Sequence, residues 1–439
     1  MKTREMKRKK TKEQYRVRTH LIHGNFESKK WDYDHHVNPP MSASAMYRLT
    51  STQRGAQGFF EFASESIDET RHIPIYIYDR LEEPSRGMLE ENLAYAEGGE
   101  MCITFATGMA AISAAVGLLC EQGHEIVAHQ VTYGCTYSLF ENWLPRFGIK
   151  VRWTDVNDEE MLRRAITDKT RVLYFETPMN PTLALVDIAA VRQLVDEINA
   201  RRPVEQHVKI VVDNTFATPY CQRPIELGAD FSVQSLTKGI SGFGTDMGGA
   251  VVGPRTYCSK LLMYRKDFGG VLNPRSAWIF LVYGLPSLAT RFSNQISTAH
   301  HVAKFLREHP KVEKVVYPGL EDFPQFELAK KQMVNSAGKF APGNMIYFLL
   351  KDAEVDGKQS SNVGKFIDYV ADHAYCITLA VSLGAIKTLI ENAYSMTHAA
   401  LPEEDKRRMG LEPGGIRLSV GLEDRRDIIE DLQDALEHV

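Results

Sequence analysis

The sequence predicts an α/β protein with a large domain on a mostly parallel central sheet and a smaller C-terminal α+β domain. Two observations carry that prediction. From about residue 90 onward short apolar runs alternate with helical segments, and strands separated by helices imply crossover units and a parallel sheet covered on both faces. After about Pro286 the pattern changes to long helices with isolated strands between them. A chain of 439 residues is also long enough for two or three units that each bury a core.

Taken in order, residues 1–82 read as an irregular arm, with HHVNPP and a Ser/Gly/Gln-rich stretch ahead of YIYDRLEEPS, and an arm of that length is expected to pack on a neighbouring subunit. In the large domain, residues 83–286, MCITFAT, HEIVAH, VRWTDV, RVLYFET, VKIVVDN and ADFSVQS read as strands. GMAAISAAVGLL, TYSLFENWLPRF and the amphipathic DIAAVRQLVDEINA read as helices between them. Residues 287–439 form the smaller domain, with the helix LATRFSNQISTAHHVAKFLREH at its junction, the strands NMIYFLL and IRLSV, and the closing helix DRRDIIEDLQDALEHV.

Composition narrows the function. Lys and Arg number 52 against 56 Asp and Glu, so no general positive field exists for nucleic acid or acidic membranes. The opening MKTREMKRKKTKEQYRVR is locally basic, but it lacks an apolar h-region and carries Glu5 and Glu13, so it reads as a solvated tail and not a targeting signal. Cys102, Cys120, Cys135, Cys221, Cys258 and Cys376 lie far apart, without a CxxC pair or metal-ligand spacing, as reduced thiols in a cytoplasmic protein would. His35 and His36 lack further ligands and read as surface residues. No apolar run reaches the roughly 20 residues of a membrane-spanning helix. A soluble protein acting on a small molecule is expected, with no metal.

The informative stretch is SVQSLTKGISGFGTDMGG, residues 232–249, where Lys238 stands between hydroxyl residues and a glycine-rich turn. A lone lysine is ordinarily a solvated surface charge. In open α/β sheets, however, ligands sit at the carboxyl ends of the strands. Those ends supply Thr107, Gly108 and Met109, then Tyr133 and Cys135, then Glu176 and Asn180, then Asp213 and Thr215, and finally Ser235, Thr237 and Lys238.

This set matches pyridoxal 5'-phosphate. A phosphate needs backbone amides at a helix start and hydroxyls, which Gly108, Ser235 and Thr237 offer. The pyridine nitrogen needs a carboxylate to stay protonated, and Asp213 ends a strand one crossover before Lys238. The aldehyde needs a lysine, and a buried Lys238 near a cationic cofactor would have a lowered pKa. Tyr133 would stack on the ring. Singly, Asp213 also fits a helix N-cap, Tyr133 ordinary core, and Gly242, Gly244 and Gly248 turn glycines. A dinucleotide-loop reading of GFGTDMGG fails, because MGGAVVG reads as a strand and no acidic residue follows at the required distance.

Several ordered blocks, ATGMAAISAA, TYGCTY, ETPMNPTL, VDNTFATPYCQRPIELGAD, QSLTKGISG, SMTHAALPEE and IRLSVGLED, resemble the pyridoxal-phosphate enzymes of cysteine and methionine metabolism. The resemblance covers nearly the whole chain after about residue 75. It implies a fold-type I transferase assembled as a homotetramer, a dimer of dimers, whose active sites are shared between subunits. By position it implies that Tyr78 and Arg80 of YIYDR serve the neighbour's phosphate, as the planar fork of an arginine suits. It also implies that Arg417 of IRLSVG clamps the substrate α-carboxylate, with Ser382 of VSLG beside it. Arg417 on an apolar strand would be costly without an anionic partner, which the substrate would supply. The chain departs from the family pattern in YDRLEEPS, where Glu83 and Ser85 replace an amide and a threonine, so a changed active-site entrance is expected. RGAQGFFEFASESIDETRHIP also looks longer than usual in the family, so the arm is expected to reshape substrate access.

Within the family, Cys135 two residues after Tyr133, the Lys266-Asp267 pair, and the apolar Val381 before Ser382 resemble methionine γ-lyases. Read alone, Cys135 is equally a small buried residue and Lys266-Asp267 a surface pair. The implied reaction is γ-elimination on L-methionine. Lys238 would move the α-proton, and Tyr133, its pKa lowered by nearby cations, would protonate the departing thiolate. Cystathionine cleavage or synthesis, sulfhydrylation of O-acetylhomoserine, and a non-enzymatic protein on the same fold are the alternatives.

Overall fold

The computed structural model describes residues 15–23, 36–64, 74–355, 358–360, 362–397, 399 and 403–439. His35 and most of the basic opening segment lie outside the described residues; His36 is exposed.

Seven strands form the large sheet: β1 (Met101–Phe105), β2 (Glu125–His129), β3 (Lys150–Thr154), β4 (Thr170–Glu176), β5 (Lys209–Asp213), β6 (Phe231–Ser235) and β7 (Gly249–Gly253). Their order is β1-β7-β6-β5-β4-β2-β3. All neighbours pair in parallel except β7, which runs antiparallel to both β1 and β6. The exception has a local cause: β6 and β7 are joined by the glycine-rich turn, with no crossover helix between them. Residues on the strands alternate between two cores. Ile126, Ala128, Tyr174 and Val211 pack on one face with helices α2 (Gly108–Leu119) and α4 (Cys258–Phe268). Val127, Leu173, Phe175 and Val212 pack on the other with α3 (Ile188–Asn199). Each buried Ile, Val, Leu or Phe among them contributes roughly 1.5–3 kcal/mol by leaving water.

The second sheet has the order β10-β11-β12-β9-β8 and is antiparallel except for β10 with β11. Its strands are β8 (Val312–Val316), β9 (Met345–Leu350), β10 (Ile377–Leu379), β11 (Thr388–Asn392) and β12 (Gly415–Ser419). Helices α6 (Asn362–His373) and α7 (Arg425–Glu437) close its core, and the 24-residue α5 (Leu285–Glu308) runs between the sheets.

Three expectations need correction. The arm is not simply irregular, because it contains helices Val17–His23 and Thr52–Glu61. Nor does all of it await a neighbour: Leu21 is buried in this chain's core, His20 stacks on Tyr95 at 3.7 Å, and Arg18 donates to Thr290 at 2.9 Å. TYSLFENWLPRF is not one helix but an α turn, a π turn and a 3-10 turn in succession, the last carrying Pro145, which has no N–H to continue the ladder.

Among the described residues no helix is long and apolar enough to cross a membrane, and no group of His, Cys, Asp and Glu could hold a metal ion.

Candidate active site

Helix α1 (Pro84–Glu97) leads into the site and explains Glu83. Its side chain caps the helix by accepting from Ser85 N at 2.9 Å and Arg86 N at 2.5 Å. Glu83 is 1% exposed among Arg86, Arg265 and Asp79, and burial pushes its carboxyl up to about 7. It therefore lines no entrance, contrary to the expectation drawn from its replacement of an amide. Ser85 is likewise buried and accepts from Ser42 N at 3.2 Å.

At the carboxyl end of β1, Thr107 caps α2 by accepting from Ala110 N at 3.0 Å. The following amides, Gly108 and Met109, stand at a helix start where intrahelical acceptors run out. Gly108 admits no side chain: a Cβ there would lie 2.8 Å from that of Ser235. The Ser235 side chain is thus drawn to this helix end, whereas the Thr237 hydroxyl accepts from Gly248 N at 3.1 Å and so fixes the glycine turn. Thr215 accepts from Ser235 N at 2.9 Å and ties β5 to β6. Helix-start amides and the Ser235 hydroxyl in one place suit a phosphate.

Asp213 accepts from Thr215 N at 2.9 Å and from Tyr174 OH at 3.5 Å. It is the register partner of Glu176 on the adjacent strand, and it has no cationic partner among the described residues. Burial holds the Asp213 carboxyl above its ordinary range, and burial with the Asp213 charge raises Glu176 further. A cationic ring nitrogen is the partner that would relieve this. Beneath it, Asn214 donates to the fully buried Glu97 at 3.3 Å, and Ser232 and Gln234 donate to the same carboxyl. Burial pushes Glu97 up to about 7.

Tyr133 is placed by its own backbone, which donates to Glu176 Oε1 at 2.6 Å. The expected lowering of its pKa is overturned. Burial, the adjacent Cys135 and Glu176 raise the phenol well above its ordinary value, and Arg417 alone does not reverse that. Cys135 is exposed and also bears on Lys238.

Lys238 Nζ donates to Ser382 Oγ at 2.7 Å. Burial first, then the Arg417 charge, bring its amine down to about 8. The loop carrying it is held from behind by Arg291 on α5, which donates to the carbonyls of Gly239 at 2.8 Å and Ile240 at 2.9 Å. Gly242, at φ 73°, is required twice over, since a Cβ there would also meet the Arg291 guanidinium at 2.2 Å. Sequence reading missed Arg291 and Glu97; an arginine on the apolar face of α5 and a glutamate closing α1 were the available signals.

From the second sheet, the Ser382 loop presses onto the Lys238 loop, so that a Cβ on Gly384 would lie 2.4 Å from Gly239 N. Arg417 donates to Ser382 O at 2.9 Å and to Asn180 Oδ1 at 3.0 Å. Asn180 thus serves Arg417 in this structure. The expectation that Arg417 lacks an anionic partner within the chain is wrong. Glu391, its cross-strand partner on β11, meets it at 2.9 Å with both side chains at most 3% exposed.

Arg80 donates to Lys266 O at 2.9 Å and lies over the Tyr78 ring at 5.7 Å. Lys266 pairs with Asp267 at 2.7 Å near the end of α4. Val381 is 56% exposed.

The model of the Cys/Met metabolism PLP-dependent enzymes matches residues 18–437. An L-methionine gamma-lyase of Treponema denticola is 40% identical over 91% of this chain and 92% of its own. One from Pseudomonas putida is 36% identical over 95% and 96%. The crystal structure of cystathionine gamma-lyase from Lactobacillus plantarum complexed with L-serine superposes with a TM-score of 0.81 at 30% identity, covering 97% of this chain and 99% of that one.

Proposed function

Because the chain belongs to the Cys/Met metabolism PLP-dependent enzymes and acts with pyridoxal 5'-phosphate as a carbon–sulfur lyase, we propose that its reaction is γ-elimination on L-methionine, giving methanethiol, 2-oxobutyrate and ammonia. The observation that carries the reading is the link through Ser382. Its hydroxyl receives the Lys238 amine at 2.7 Å and its carbonyl receives Arg417 at 2.9 Å, so an amino acid's α-carbon and carboxylate can be served side by side.

The bound cofactor supplies an aldehyde for the amine and an electron sink for the α-carbanion. Lys238 anchors it, and the amine, brought down to about 8, is available in neutral form to take the α-proton. Asp213 would keep the ring nitrogen protonated, and the Gly108 and Met109 amides with the Ser235 and Thr237 hydroxyls would hold the phosphate. Arg417 orients the substrate carboxylate. Tyr133, a neutral phenol in its buried setting, donates a proton to the departing sulfur, while Val381 and Cys135 border the methylthio group.

The division into an arm (1–82), a cofactor domain (83–286) and a small domain (287–439) belongs to the same reading. So does a homotetramer in which Tyr78 and Arg80 reach a neighbour's phosphate. The likeness to a cystathionine gamma-lyase structure supports cystathionine cleavage as the second reading. Product analysis decides: methanethiol and 2-oxobutyrate in equal amounts from methionine alone are expected. Rapid turnover only with cystathionine, or only with O-acetylhomoserine plus sulfide, would reject the methionine assignment.

A further inference from the structure

The Arg417–Glu391 pair raises a question of charge. A guanidinium that is to clamp a substrate carboxylate already holds a carboxylate of its own, inside the protein and almost wholly out of water. Glu391 Oε1 forms an ion pair with Arg417 at 2.9 Å and accepts a hydrogen bond from Thr397 Oγ1 at 3.1 Å, whereas Oε2 is buried with no hydrogen-bond partner among the described residues. A half-satisfied buried carboxylate is costly, and a second carboxylate arriving on the same guanidinium makes it more so. Neutralising one of the two is the inexpensive response, as in any pair of carboxylates that share a site.

We infer that Glu391 takes up a proton from solvent when the substrate α-carboxylate docks on Arg417, so that carboxylate binding is coupled to pH through this residue. The inference rests on Arg417 being the carboxylate clamp.

The charges around Glu391 support it. Arg417 comes from β12 and Lys238 from the loop after β6, and both favour the ionised glutamate. Burial outweighs them and holds the Glu391 carboxyl above its ordinary range. Tyr133 bears on Arg417 from the loop after β2, but it is neutral and adds no fixed charge. Once a substrate carboxylate occupies Arg417, the influence that most favoured ionised Glu391 is shared. Oε2, which has no donor among the described residues, is the atom placed to carry the proton.

The test uses the holoenzyme and two ligands of one chain length that lack a γ-leaving group: L-norleucine, and 1-aminopentane, which is norleucine without its carboxylate. Calorimetry in buffers of different ionisation enthalpy counts protons, and the coenzyme absorbance reads the Kd. In the wild type, norleucine should take up more protons than 1-aminopentane, by up to one, and its Kd should rise about tenfold from pH 6.5 to pH 8.5. In Glu391→Gln the excess uptake and that rise should vanish, with tighter norleucine binding at pH 8.5 and 1-aminopentane unaffected. Equal proton counts for the two ligands in the wild type overturn the inference without reference to any variant. A pH slope unchanged by Glu391→Gln overturns it too. Arg417→Lys separates the underlying reading: it should weaken norleucine far more than 1-aminopentane. If both ligands are weakened alike, the clamp assignment fails and the inference falls with it.

Discussion

Lys238, half-buried, and Arg417, buried, are two cations that reach the same residue, Ser382, from different sheets, and the protein treats them in opposite ways. Lys238 stands after β6 and meets a hydroxyl, with no carboxylate in ion-pair range among the described residues. Its positive charge is left exposed to desolvation, and its pKa falls to about 8. Arg417 stands on β12, paired with Glu391 and further held by Asn180. The difference follows from their chemistry. An ammonium can escape an unfavourable site by giving up its proton, whereas a guanidinium cannot, so a buried arginine needs a counterion. The group that must shed its proton is left without one, and the group that must stay charged is supplied with one.

The largest expected effect tests the role of the unpaired cation. Lys238→Ala removes both the anchoring amine and the proton carrier, and kcat/KM for the sulfur amino acid should fall by about 10⁴-fold. A steady-state assay of the variant checks this, and a loss under tenfold would remove Lys238 from the chemistry.

Next comes the paired cation, probed by stability. Arg417→Met strands the Glu391 carboxylate and should cost about 3–5 kcal/mol in urea unfolding of the cofactor-free protein. Combining it with Glu391→Leu should restore more than half of that. Lys238→Met, which strands no charge, should change stability by less than about 1 kcal/mol. Equal losses in Lys238→Met and Arg417→Met would break the contrast.

The two ends were not equally readable from the amino-acid order. The β1, β2 and β4–β6 strands and α2 were legible because each is a short, self-contained apolar run, and residues just past each strand converge wherever a parallel sheet forms. Hence Gly108, Asp213, Ser235 and Lys238 could be grouped without coordinates. The Arg417–Glu391 pair is a cross-strand register between segments 26 residues apart, and nothing local to TLIEN or IRLSV reveals which residues face each other. Arg291 was hidden for a similar reason, since its partners are backbone carbonyls some fifty positions away. The pKa of Tyr133 was misjudged because nearby cations are visible in a motif, while burial, the larger influence, is a property of the folded whole.

The smallest effect sharpens the comparison most, because it measures how far the two cations sense each other. Only the neutral amine attacks an aldehyde, so the rate at which the cofactor-free protein takes up pyridoxal 5'-phosphate follows the deprotonated fraction of Lys238. With its pKa at about 8, that fraction is roughly 0.1 at pH 7 and roughly 0.9 at pH 9, a rise of about tenfold followed by a plateau. A lysine of ordinary pKa, about 10.4, would instead give a rise of about 100-fold across the same interval with no plateau. Stopped-flow absorbance at a series of pH values separates the two curves. Glu391 acts to raise the Lys238 pKa and Arg417 to lower it. Glu391→Gln should therefore move the midpoint of the uptake curve to lower pH, by removing the anion while leaving the guanidinium. A midpoint that does not move would mean that the charge pair on the second sheet is electrically closed and that desolvation alone sets the amine.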